Sequence, residues 1–262
     1  MKNKFTKRVL SLVLVLMMVL TTAVVSMGSA SAASNGEVEY SVTVRNAYGD
    51  GECIFGDLLV NINGTEGSTG WQNLGTPSYV NDEKFTAPYV GEITSIDACV
   101  DSNVNNGFYP NYFDITTMGT TTRIYGGEWL DNGETVNFGV DDKVYSIDIF
   151  TSIDEKAGTD LSVYVTLFDE DGDHSKAINA SDLSFCSNAF ERGDVTTVYI
   201  HTPDEFDDLK EIRFELFNGP TIGSGWLLEK VYVDQVSGEG DLHCEKLVCQ
   251  WGDEGEPITV KF

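Results

Sequence analysis

The densest run of possible metal ligands in this sequence is Asp169-Glu-Asp-Gly-Asp-His174. Calcium takes six to eight oxygens, and an EF-hand loop beginning at Asp169 would need Gly at its sixth position and Glu at its twelfth. His174 and Ala180 stand there instead. An Asp-Gly step between two strand-like runs reads better as a hairpin tip. Catalytic patterns fare worse: the sequence has no G-x-S-x-G elbow and no H-E-x-x-H. His174, His201 and His243 lie in acidic or β contexts without a partnered nucleophile. Carboxylate pairs are expected by chance among 42 acidic residues, so they carry no catalytic signal. The five cysteines (Cys53, Cys99, Cys186, Cys244 and Cys249) leave at least one unpaired within the chain, and their pairing is open. Cys244 and Cys249 are too far apart for a C-x-x-C pair and no His sits at ligand spacing, so zinc is not expected.

The elements that must hold these residues begin after an export signal. Lys2, Lys4, Lys7 and Arg8 form a basic region, Val9 to Val25 is almost wholly apolar, and Ala30-Ser31-Ala32 offers the small residues of a cleavage site. Residues 1–32 are therefore expected to be a signal peptide and the protein to be secreted. No Cys follows the apolar run where a lipid could be attached, and no second long apolar run could span a bilayer. The first 32 residues hold four of the 16 basic residues and none of the 42 acidic ones, leaving a net charge of −30 on the remainder. Such a surface repels nucleic acid, which is held by Lys and Arg. It also repels anionic lipid unless cations bridge the two.

The remainder reads as β throughout. Alternating runs such as Tyr40–Val44, Tyr145–Ile149, Leu161–Leu167 and Ile212–Leu216 recur between Gly, Asn and Asp clusters. No stretch keeps helical periodicity for three turns, which predicts sandwiches or barrels. The chain also repeats. Glu39–Val44 matches Val144–Ile149, Asp57–Ile62 matches Asp160–Val165, and Gly91–Ile96 matches Asp207–Ile212. Gly107-Phe108 stands where Gly225-Trp226 does, with Pro110 interrupting the strand that follows, and Trp129–Phe138 matches Trp251–Phe262. Matches in the same order predict an all-β chain of two consecutive antiparallel β-sandwich domains, residues 38–141 and 143–262, joined around Asp141-Asp142-Lys143.

Several residues of the second repeat have a plain physical reading. Gly158 permits a close loop approach, and Thr159 and Asp160 can tie that loop by side-chain hydrogen bonds. Trp226 opens an alternating strand and is expected to fill a core. Arg192, among many acids, is expected to pair with one of them.

In order, Ala157-Gly-Thr-Asp160, the strand to Leu167, Asn188-Ala-Phe-Glu-Arg-Gly193, Val198-Tyr-Ile200, Leu209–Asn218 and Gly225-Trp-Leu-Leu-Glu-Lys-Val-Tyr-Val233 resemble a PLAT/LH2 domain. The first repeat resembles a degenerate copy, with Phe55-Gly56-Asp57 for Gly-Thr-Asp and Phe108 for the Trp. The resemblance implies an eight-stranded sandwich that docks on a protein or lipid surface through loop-tip aromatics. Trp71 and Phe217 are the candidate contacts. It also implies Ca2+ as a cofactor, with Asp154, Gly158, Thr159, Asp160 and Asn218 as candidate ligands. Asp50 and Asp57 are the counterparts in the first repeat. Lys156 stands where calcium-binding members often carry an Asp, and its charge opposes a cation. The expected function is thus a non-catalytic binding protein. The alternative is a carbohydrate-binding accessory protein, which would need an aromatic platform on one face, and a hydrolase comes third.

Overall fold

The computed structural model describes residues 36–46, 56–76, 80–102, 107–183, 189–217 and 225–262. The export segment, Asp50, Cys53, Phe55, Cys186 and Asn218 lie outside the described residues. Residues 37–139 supply β1 (Glu37–Asn46), β2 (Gly56–Gly64), β3 (Gly67–Ser68), β4 (Gln72–Asn73), β5 (Val80–Pro88), β6 (Ile93–Ser102), β7 (Pro110–Thr117), β8 (Thr120–Tyr125) and β9 (Thr135–Gly139). Residues 144–261 supply β10 (Val144–Thr151), β11 (Ser162–Phe168), β12 (Ile178–Asn179), β13 (Val195–His201), β14 (Glu211–Phe217), β15 (Trp226–Ser237), β16 (His243–Gly252) and β17 (Ile258–Lys261).

These strands pair antiparallel into four sheets. In the first sandwich the orders are β5-β1-β7-β8 and β3-β2-β6-β9, with β4 also on β2. In the second they are β13-β10-β15-β16 and β12-β11-β14-β17. The two sandwiches therefore share one strand order, and the segments matched in sequence fall on equivalent strands. Period-two alternation sends one side of each strand inward. Tyr40, Val42 and Val44 of β1, and Tyr145, Ile147 and Ile149 of β10, are buried on that side.

The Pro110 interruption resolves as a local displacement. β7 opens at Pro110, where the register against β1 shifts. Proline is tolerated at the first residue of a strand because no ladder bond is lost there. Phe108 lies just before it, fully buried, and exchanges backbone hydrogen bonds with Leu130 at 3.0 and 2.7 Å.

Each sandwich has its own apolar core, but Tyr109 and the partly buried Trp129 of the first reach that of the second. Tyr109 belongs to the first sandwich by sequence but packs fully buried in the core of the second. Its hydroxyl donates to the Tyr199 carbonyl. Beside it, Gly127 adopts φ +92, and a Cβ there would lie 2.8 Å from His201 N. Only glycine fits this approach. The Gly127 carbonyl accepts from His201 N at 3.0 Å, and the His201 ring lies 3.0 Å from Asp142 and 3.5 Å from Glu128. Residues 37–262 consequently form one compact body.

Candidate functional site

The loop from Ser152 to Leu161 closes one end of the second sandwich. Asp154 N donates to Ser152 Oγ at 3.2 Å. Ala157 N donates to the Asp154 carbonyl at 3.1 Å, closing a turn with Lys156 at φ 73. Ala157 is fully buried and its carbonyl accepts from Leu227 N at 3.0 Å. Gly158 then passes so close to Glu191 and Arg192 that a Cβ would lie 3.0 Å from Arg192 N. Thr159 N donates to the Phe190 carbonyl at 3.2 Å, and the Thr159 hydroxyl accepts from Leu161 N at 3.1 Å. The loop is thus bonded to two neighbouring segments and to itself, as the Gly-Thr pair suggested.

The anchoring constrains what the loop can ligate. Thr159 is buried with its hydroxyl turned into the chain, while Asp154 and Asp160 stand exposed. Lys156 is exposed between those two carboxylates. Among the described residues no group of three or more His, Cys, Asp or Glu side chains is placed to hold a metal. Two exposed carboxylates do not fit calcium's demand for six to eight oxygens. Asn218, the remaining candidate ligand, lies outside the described residues. Asp57, the counterpart in the first repeat, accepts from Asn73 Nδ2 at 2.7 Å.

Asp169 explains the acidic run without a metal. Its Oδ1 accepts from the backbone N–H groups of Asp171, Gly172 and Asp173 at 2.8–3.0 Å, and Oδ2 accepts from Asp207 N at 3.0 Å. Burial alone would raise its pKa, but these four bonds hold it below the ordinary value. An isolated antiparallel bridge between Phe168 and His174 closes the tip.

Trp226 is fully buried at the start of β15. Its indole N–H donates to Thr151 Oγ1 at 3.0 Å, and Phe190 and Phe214 pack edge-on at 5.3 and 5.8 Å. Arg192 departs from expectation: it is exposed and forms no ion pair among the described residues.

Around this same end stand exposed apolar side chains. Phe217, at the end of β14, is 41% exposed and meets Tyr164 edge-on at 5.5 Å. Ile153 follows β10 at 76% and Val195 opens β13 at 51% exposure. Leu247 and Trp251, at 73% and 51%, lie on the half of β16 paired with the start of β15. Trp71 is equally exposed, but it stands at the sheet edge between β3 and β4, beside the middle of β2. Sequence reading found Phe217 and missed the other four near it. Their signal was a large apolar residue at a solvent-facing position of a strand or of the loop after it, visible only once strand register is known.

Three comparisons bear on this geometry. The PLAT/LH2 domain profile matches residues 145–256. The lipoxygenase homology domain-containing protein 1 of Homo sapiens and that of Mus musculus are each 34% identical over 93 residues, 36% of this chain. The match spans 4% of the length of those relatives. Among solved structures, coral 8R-lipoxygenase, described as activated by calcium through a C2-like domain, aligns at TM-score 0.38 and 18% identity. That alignment covers 45% of this chain and 16% of the lipoxygenase chain. The second sandwich, with its two four-stranded sheets, its buried Trp226 and its anchored Gly-Thr loop, is a PLAT/LH2 domain over the matched residues 145–256.

Proposed function

We propose that this chain is an exported, non-catalytic binding protein that docks on a lipid or protein surface through the loop end of its second sandwich. The observation that carries this reading is the number of exposed large apolar side chains at or near that end: Ile153 after β10, Val195 opening β13, Phe217 closing β14 and Trp251 near the end of β16, with Leu247 further along β16. Exposed apolar patches of this kind mark interaction surfaces. The basic and apolar run before Ala33 supports export. Among the described residues no helix is long and apolar enough to cross a membrane, so an association with lipid is peripheral on this reading. The shared strand order supports taking residues 38–141 as a diverged copy of the same domain.

The net charge of −30 disfavours anionic bilayers, so zwitterionic vesicles are the first probe. Phosphatidylcholine liposome flotation should recover the wild type and lose the Leu247→Asp/Trp251→Asp variant by tenfold or more. Equal recovery of both would remove the lipid form of the proposal and leave the protein form, checked by the same pair in pull-downs from extracellular fluid. Calcium-assisted docking requires oxygens beyond Asp154 and Asp160, with Asn218 the named candidate. Calorimetric titration with calcium of the wild type, Asp160→Ala and Lys156→Asn reads it directly. Heat that Asp160→Ala abolishes supports calcium at this loop; no heat in any of the three ends it.

A further inference from the structure

The outer face of sheet β5-β1-β7-β8 differs from the rest of this acidic molecule. Across the rows from Arg45 to Glu39 it carries Glu39, Asp82 and Asp114 against Arg45, Lys84 and Arg123. Acids and bases balance there, on a chain whose net charge is −26. The bases are also held in place. Arg123 makes two hydrogen bonds of 2.7 Å to the Asp114 carboxylate, and Lys84 lies 3.5 Å from Glu39. The rest of the face is hydroxyl: Ser41 donates to Asp82 at 2.9 Å, and Thr116 and Thr121 are 2.8 Å apart.

Two further features lie on this face. At one end, Tyr112 and Tyr125 sit opposite each other in register, 6.3 Å apart and edge-on, with the Arg123 guanidinium 4.0 Å above Tyr112. The strip continues over the join, where Tyr125 and Tyr199 lie 5.9 Å apart and within 20° of parallel. At the other end is an open cleft of about 550 Å³, lined by Val38, Ser41, Asp82, Lys84, Thr116 and Met118 among others. Met118 takes φ 50 in the two-residue turn before Gly119 and is 75% exposed. Asn or Gly ordinarily fills such a position, so a large thioether there is unusual. The cleft wall at Asp82 is two residues along the strands from the tyrosine row, about 7 Å at the usual rise, and its Ser41–Thr116 row is four residues away, about 13 Å.

The geometry points to a binding face for a neutral oligosaccharide or polysaccharide chain. Tyrosine presents an apolar face to the C–H surfaces of a sugar ring and keeps a polar tip for its hydroxyls. The paired Arg123–Asp114, the threonines and Asp82 supply fixed donors and acceptors between the two ends. The balanced charge selects the class: a polyanion meets no excess of bases here, and a polycation finds better partners on the acidic remainder of the surface.

Affinity gel electrophoresis of the full exported chain tests this, with hydroxyethylcellulose, arabinoxylan, galactomannan and mixed-linkage glucan in the gels. Polygalacturonate gels and polylysine pull-downs serve as the charged comparisons. The wild type should be retarded by at least one neutral polysaccharide. Tyr112→Ala/Tyr125→Ala and Asp82→Ala, in adjoining rows of the face and with Asp82 on the cleft wall, should each weaken that retardation tenfold or more at an unchanged melting temperature. Leu247→Asp/Trp251→Asp should bind the polysaccharide like the wild type, keeping this face separate from the docking end. No retardation on any neutral polymer, retardation that survives in both variants, or binding confined to polygalacturonate or polylysine overturns the proposal.

Discussion

Asp169 shows how an acidic residue can look like a ligand and serve the backbone instead. A carboxylate satisfies four N–H donors with two oxygens, and an amide at the same place cannot. Asp169→Asn would set an NH2 group against either Asp207 N–H or the three donors of the tip. The expected loss is about 1–3 kcal/mol at neutral pH, the cost of buried donors left unmatched. The sign of its pH dependence follows from the depressed pKa. The carboxylate contributes fully above its unfolded value, near the ordinary 3.8, and that contribution is lost as pH falls through the lower folded value. Thermal melts should therefore show the gap between wild type and variant closing as pH drops from about 4 toward 2. A gap that stays constant over that range would contradict the assignment.

At the level of elements, the loop from Ser152 to Leu161 is a rigid feature bonded to Phe190, Leu227 and its own Thr159. Its one costly residue is Lys156, held at φ 73 in an exposed turn. Lysine is strained in the left-handed region, whereas asparagine enters it more readily. Lys156→Asn is expected to stabilise the fold by about 0.5–1 kcal/mol, seen as a higher midpoint in urea with an unchanged slope. The same substitution removes the positive charge between Asp154 and Asp160, so it reports stability and cation affinity independently. The second element-level lesson is β16, which forms the sheet edge and holds Leu247 and Trp251 in the open. Natural edge strands are usually blunted by charge, and Glu245 and Lys246 supply it only in the first half of this one.

At the scale of the whole molecule, the two sandwiches share a side chain. Tyr109 comes from the first and completes the core of the second, with its hydroxyl on the Tyr199 carbonyl. The junction also places His201 between Glu128 and Asp142, and Glu128 takes the Lys176 ammonium besides. Burial alone would raise the Asp142 pKa, but hydrogen bonds from His201 and from Gly139 N–H hold it below the ordinary carboxylate range. Two small domains connected this way should unfold together. Scanning calorimetry of the wild type is expected to give one transition. Tyr109→Ala should cost about 3–5 kcal/mol, as for other buried aromatics, and split the transition into two. One unshifted transition in the variant would show that the sandwiches are coupled by something other than this side chain.

Much of this was legible in the sequence because β-structure writes itself locally. Alternation at Tyr40–Val44 and Tyr145–Ile149, and the ordered matches between the halves, predicted the strands and the doubled sandwich. Gly158, Thr159 and Trp226 declared their roles because a close approach, a side-chain tie and a large aromatic each leave few alternatives. Other features depend on which strands become neighbours. Trp71 and Trp251 look alike in sequence and both stand at sheet edges, yet strand register sets one beside the middle of β2 and the other opposite the start of β15. Tyr112, Tyr125 and Tyr199 become one strip only when β7, β8 and β13 meet. The sequence by itself determined the β-class, the repeat and the PLAT/LH2 character of residues 145–256. Tertiary structure decided which exposed residues share a surface, because side-chain direction is local to a strand but adjacency between strands far apart in the chain is not.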